Sequence, residues 1–222
     1  MEAQVAHNET STFRPLDVSR PHHSHLMIAW SPKLGRRMTF YQALMRDAWV
    51  WLEVDPCVRT FCEWPHSTKG LRRRLIVNFW VDYGSRQDFV FVARRGQEQD
   101  IEKEVMSNEG LTSWARSREI AVQIWTEQRI RENTVALTNW KTVLHSLAAN
   151  HRFIPLELPT EVVSFLQSHE GKATLQELAR HFEQTDPIVV RSTVFKMLSS
   201  GQLGSENFGV ERLSPQTSVR LP

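Results

Sequence analysis

Apolar residues recur near helical spacing between Thr39 and Val54, where Leu44, Ala48, Trp49, Trp51 and Leu52 form a stripe and Asp55-Pro56 supplies the stop. The pattern then changes period. Val58–Trp64 reads as a short aromatic extended stretch ended by Pro65. Leu75–Val81 and Asp88–Ala93 are β-branched and aromatic, and the intervening Asp82–Gln87 contains Gly84, so the pair predicts a hairpin.

On either side the pattern is more polar. Residues 1–30 show little periodicity and are rich in Ser, Thr, His and Pro, which predicts a flexible N-terminal arm. Ser31–Arg37 reads as a basic turn. Gln97–Arg118 is predicted as a polar helix broken near Gly110, Ile120–Trp125 as a strand and Glu127–Asn150 as largely helical. The succession of helix, strand, hairpin, helix, strand and helix predicts an α/β domain over residues 31–152. Pro155 and Pro159 mark a linker at 153–159. Within 160–222, three short helical patterns (Glu161–His169, Thr174–Phe182 and Pro187–Ser200) precede a hairpin-like alternation at Gln202–Leu213, the layout of a winged helix.

Composition is that of an ordinary soluble globular protein, with 41% hydrophobic and 23% charged residues. Net charge is only +2, so it does not announce a nucleic-acid binder, but its distribution is uneven. Arg72, Arg73 and Arg74 are consecutive, Arg86, Arg94 and Arg95 follow, and Glu98, Asp100, Glu102 and Glu104 come after them. A solvated rim beside an acidic helix fits this run as well as a phosphate-contacting surface does. Cys57 and Cys62 have no second pair to complete a zinc site. His22, His23 and His25 fit a flexible arm, with metal binding as the alternative. No apolar run approaches the ~18 residues of a membrane span, and nothing at the start reads as a secretory signal, so a reducing cytoplasm is expected.

Gly35–Trp49 followed by Leu52–Pro65 resembles the N-terminal part of TnsA-type proteins, the nuclease subunits of two-part DNA transposases. In that family a glutamate-bearing helix runs into a "leucine, acidic, aspartate-proline, x, valine" turn and a "phenylalanine, x, glutamate, x, proline" strand. Val77–Asp82 is similar to its aspartate-bearing strand, Phe89–Arg94 to the strand ending in its acidic-x-lysine motif, and Trp125–Ile130 to its threonine-glutamate segment. The likeness runs from about residue 31 to 150, and the second domain matches in kind. It implies a restriction-endonuclease-like PD-(D/E)xK core with a C-terminal winged-helix-like domain. It also implies a mobile-element role at transposon ends, a partner DDE-type transposase of the RNase H-like class and an AAA+ ATPase regulator, in a prokaryotic cytoplasm in association with the nucleoid.

Metal-assisted hydrolysis of a phosphodiester needs carboxylate ligands for magnesium and commonly a lysine near the attacking water. Carried onto this chain, the family's helix glutamate falls on Met45, its strand aspartate on Asn78, the acidic residue of its last motif on Val92, and the lysine on Arg94. A thioether, an amide and an alkyl group hold a hard cation poorly, and a guanidinium is too basic to help activate water. The expectation is a pseudo-nuclease without a metal cofactor. The alternative is an active magnesium-dependent endonuclease with relocated ligands, drawn from Asp47, Glu53, Asp55, Asp82 and Asp88, with Asp82 and Asp88 foremost. A third reading is a winged-helix regulator whose first domain only dimerises.

Contact with DNA does not require cutting. Arg36, Arg37, Arg72, Arg73, Arg74, Arg94 and Arg95 are candidate phosphate contacts. Arg191, Ser192 and Lys196 on the third C-terminal helix are residue types that reach DNA from a recognition helix, although winged helices also serve as protein docking modules. Trp51 or Trp80, if exposed, would be an anchor for a protein partner.

Overall fold

The computed structural model describes residues 13–69 and 74–222. Met27–Ser31 (β1) and Arg36–Phe40 (β2) pair antiparallel around a turn closed by Gly35, whose φ of 64° suits a residue without a Cβ. This ribbon corrects the expectation of an arm running to residue 30, and it also takes Thr39 and Phe40 out of the first helix. That helix, α1, spans Ala43–Val54. Lys33 ends it: Nζ donates to the carbonyls of Leu52 at 2.9 Å, Asp55 at 2.7 Å and Val58 at 2.9 Å, groups that a helix C-terminus otherwise leaves to solvent.

The central sheet follows. Thr60–Glu63 (β3) leads through a small antiparallel pair, Ser67–Lys69 (β4) and Arg74–Ile76 (β5), to Phe79–Asp82 (β6) and Gln87–Ala93 (β7). The predicted hairpin is present, although its first arm is interrupted at Val77-Asn78. Gly84 takes φ 83° in the turn, and Asp82 accepts its N–H at 2.8 Å. The polar helix is two helices, Glu98–Met106 (α2) and Glu109–Arg116 (α3), and the break falls at Asn108 rather than Gly110, because the Asn108 side chain caps α3 through the Leu111 N–H at 3.0 Å. Ile120–Thr126 (β8) completes a four-stranded sheet of order β3-β6-β7-β8, antiparallel except for the parallel β7–β8 pair.

Alternation along the strands sends side chains to both faces, and both are buried. Phe61, Phe79, Val81, Val90, Val92 and Trp125 pack with Leu44, Met45, Ala48 and Leu52 of α1. On the other face Cys62, Trp80, Phe89, Phe91 and Ala93 pack with Ile101, Val105, Leu111 and Ala115 of α2 and α3. The architecture is a mixed α/β one. Trp80, 1% exposed, lies in that core and is no surface anchor, and Trp51 is half-buried with its Nε1 donating to the Ile130 carbonyl at 2.7 Å.

Glu127–Ile130 (α4) and Thr134–Asn150 (α5) follow the sheet. Leu137 and Leu144 of α5 join the α1 core, whereas Val143 and Leu147 join a second core. That second core is built on Leu158–Ser168 (α6), Leu175–His181 (α7) and Pro187–Ser199 (α8). Between α6 and α7, Lys172–Thr174 (β9) pairs antiparallel with Ser218–Arg220 (β10), and Gly204 adds a single bridge to Arg220. The hairpin expected at 202–213 does not form. Its backbone groups turn instead to Asn139 of α5, which is 2% exposed: Nδ2 donates to the carbonyls of Phe208 and Glu211, each at 2.7 Å, and Oδ1 accepts the Leu213 N–H at 3.0 Å. Among the described residues no helix is long and apolar enough to cross a membrane.

Asn139 is therefore a polar link between α5 and the C-terminal segment, beside Asn133 Nδ2, which donates to the Gly209 carbonyl at 2.9 Å. Asn139→Leu removes three hydrogen bonds, of which the one to Phe208 is buried, and should lower unfolding free energy by about 3 kcal/mol. Urea denaturation measures it; a loss below about 0.5 kcal/mol, the range of an ordinary surface change, would refute the assignment.

Candidate functional site

Met45, Asn78 and Val92 lie on separate elements, and the fold brings them together. Met45 is in the first turn of α1, Asn78 in the interruption before β6, and Val92 near the end of β7. Asn78 joins the other two. Its Oδ1 accepts the Val92 N–H at 2.7 Å, and its Nδ2 points at Met45 Sδ, 3.8 Å away. Its backbone is committed as well, with N–H donating to the Val90 carbonyl at 3.1 Å and carbonyl accepting from Trp64 N–H at 3.0 Å. Met45 is fully buried and Val92 nearly so.

Asn78, Val92 and Arg94 share a cleft of 240 Å³ with Tyr41, Trp64, Gln42 and Gln97, and Val18 and Pro21 of the N-terminal segment close one side. Trp64 sits in the left-handed region at φ 51°, a conformation that costs a non-glycine residue about 1–2 kcal/mol. Its surroundings hold it there: N–H goes to Asn78, Nε1 donates to the Thr39 carbonyl at 3.3 Å, and its carbonyl accepts the Leu16 N–H at 2.9 Å. Tyr41, Gln42, Trp64 and Gln97 were not singled out from sequence. Only Trp64, beside Pro65 at the end of an aromatic run, carried a signal.

The cleft is poorly suited to a divalent cation. None of the described residues lining it is an aspartate or glutamate. A hard ion that sheds its water reluctantly gains little from a neutral amide oxygen that already accepts a backbone N–H. Across all the described residues, no group of three His, Cys, Asp or Glu side chains is placed to hold a metal.

The carboxylates considered as relocated ligands have other partners. Asp47 is buried against Arg131 Nε at 3.0 Å and Lys141 Nζ at 2.6 Å. Glu53 accepts Ser31 Oγ–H at 2.6 Å and Lys33 N–H at 2.5 Å, and burial pushes its carboxyl above the usual range despite them. Asp55 accepts the Cys57 N–H at 2.8 Å. Asp82 and Asp88 do not converge: Asp82 is paired with Gln87 and Asp88 with Val81, so strand alternation sends them to opposite faces of the sheet.

The basic residues divide in a similar way. Arg36 forms a two-pronged pair with the buried Glu63 carboxylate, so its guanidinium is already engaged. Arg37, Arg94 and Arg95 are exposed. Arg72 and Arg73 lie outside the described residues, and Arg74 begins β5 opposite Lys69. Arg191 and Lys196 of α8 are exposed, but Ser192 is fully buried with its Oγ 3.1 Å from Ser146 Oγ of α5. The expected surface of Arg191, Ser192 and Lys196 is thus interrupted where α5 crosses α8. Comparison with known proteins finds neither a family model nor a curated protein that matches this chain.

Asp88 gives a pH test. Burial raises its carboxyl above the ordinary aspartate range; Arg86, 3.6 Å away, only partly offsets this, and Oδ1 is buried without a hydrogen-bond partner. Because the folded value exceeds the unfolded one, the favourable contribution exists below the ordinary range and is lost as pH rises through the shifted value. Asp88→Asn removes that dependence. Its stability relative to the natural chain should rise between acid and neutral pH in thermal melts, and a falling difference would contradict the assignment.

Proposed function

We propose that the chain is a non-catalytic TnsA-like subunit of a heteromeric DNA transposase, with a restriction-endonuclease-like core and a winged-helix-like second domain. The observation that carries the reading is the meeting of Met45, Asn78 and Val92. The resemblance assigns these positions from motifs on separate elements; Asn78 contacts both of the others, and Asn78 and Val92 line one cleft with Arg94, with Met45 buried behind it. The β6–β7 hairpin register brings Asn78 beside Val92, and the packing of α1 on the sheet adds Met45 to them. The C-terminal order of helix, strand, two helices and a returning strand, with the Gly204 bridge beside it, supports the second domain in the same way.

In this reading the subunit acts by contact. It binds transposon-end DNA, the partner DDE transposase, the AAA+ ATPase or a combination of them, and helps to assemble the transposition complex. Strand joining by the partner, with the other strand left uncut at each end, then yields a cointegrate.

Purified chain mixed with transposon-end DNA should retard the DNA in a gel and leave it unbroken with magnesium or manganese. Nicking that survives repurification and disappears in Asp82→Ala or Asp88→Ala would replace the proposal with an active endonuclease. Changing Met45→Glu, Asn78→Asp and Val92→Glu together should create manganese binding detectable by calorimetry that the natural chain lacks. Equal binding by both chains would refute the cleft assignment.

A further inference from the structure

A concavity larger than the cleft around Asn78 lies elsewhere on the described residues. A groove of 1510 Å³ lies along the α1 face beside β8, lined among others by Trp51, Cys57, Tyr83, Arg86, Trp125 and Arg129. The β6–β7 turn that forms one wall is at the end of β6 away from Asn78. A drug-sized ligand takes a pocket of about 300–1,000 Å³, so the space suits a length of polymer better than a small molecule.

Its polar lining includes two arginines stacked on aromatic rings. Arg86 lies over the Tyr83 ring with Cζ 4.6 Å from the centroid and is steered from below by Asp88. Arg129 lies over Trp125 at the same 4.6 Å. Stacking fixes a planar guanidinium at low entropic cost and leaves its N–H edges outward, the geometry that meets phosphate oxygens. The lining holds Arg59, Arg86 and Arg129 with Asp55 and Glu132, Asp88 is buried behind Arg86, and Asp55 is partly engaged by its own turn, so the exposed charge of Arg86 and Arg129 faces the groove.

We infer that this groove binds the sugar–phosphate backbone of DNA through Arg86 and Arg129. The inference rests on the reading of the chain as a DNA-contacting subunit and places the contact apart from the arginines around the cleft. A protein ligand fits less well. Protein hot spots are aromatic anchors offered to a partner, but Trp125 is 7% exposed beneath Arg129, and the Trp51 Nε1–H is spent on the Ile130 carbonyl. The outward-facing groups are the guanidiniums, with the Arg86 side chain 65% exposed.

The test is fluorescence anisotropy with a labelled duplex oligonucleotide and, separately, its single strand, from about 50 to 200 mM salt. Arg86→Ala with Arg129→Ala should weaken binding at least about tenfold and reduce the salt slope by about two, whereas Arg116→Ala with Arg152→Ala, which removes equal charge elsewhere, should change neither as much. The preferred probe tells duplex from single-strand backbone. Cys57 provides a second readout that involves no substitution. It is exposed on the groove, while Cys62 is buried with its thiol pushed up to about 12, so alkylation reports on the groove alone. Saturating DNA should slow Cys57 alkylation severalfold.

If the natural chain binds neither probe, the DNA-contact reading and the groove assignment both fall. If it binds but the two double variants match, or Cys57 stays fully reactive under saturating DNA, only the groove assignment falls. Protection of Cys57 that rises with protein concentration and needs no DNA would overturn it in favour of a second copy covering the groove.

Discussion

The amide of Asn78 is the constraint around which the central cleft is organised. One side chain closes the gap left by the interrupted strand, through the Val92 N–H, and turns its other end toward the sulfur of α1. Its backbone binds Val90 and Trp64. Helix, strand and the strained Trp64 are thereby held together with no ionised group at the centre. An arrangement of this kind lets the α1 face of the sheet pack as an apolar core around an amide.

The same economy governs the charges around it. Asp47 ties α1 to Arg131 and Lys141, Glu53 ties it to the β1–β2 turn, and Glu63 ties β3 to Arg36. A buried carboxylate without partners is costly, and here each is positioned beside donors from a different element. These pairs act as fasteners between layers. These three carboxylates are engaged by partners of the fold, while the guanidiniums of Arg94 and Arg95 by the cleft and of Arg86 and Arg129 in the groove are exposed.

Helix α5 couples the two halves of the chain. Leu137 and Leu144 complete the core beneath α1, Val143 and Leu147 complete the core of α6, α7 and α8, and Asn139 holds the segment that follows α8. Neither apolar cluster is whole without this helix. Its crossing over α8 also decides which residues of α8 reach solvent, since Ser192 meets Ser146 while Arg191 and Lys196 stay outside.

Period and punctuation in the sequence determined most of the elements. The apolar stripe of α1, the β-branched runs of β6 and β7 around Gly84, the strand at Ile120 and the capped helices of the C-terminal region are local signals, set by propensity and by backbone bonds within a few residues. Motif likeness also singled out Met45, Asn78, Val92 and Arg94. What those signals could not contain is distance. That Met27–Ser31 is a strand depends on Arg36–Phe40, that 202–213 is not a hairpin depends on Asn139, and that Ser192 is hidden depends on Ser146. Arg129 stacks on Trp125 locally, but the two are set beside the turn of Tyr83 and Arg86 only once β8 lies against β7. For Asn139 and Ser192 the partner lies far along the chain. Such a choice is made by packing, because only packing decides which distant group is near enough to satisfy a buried donor or acceptor.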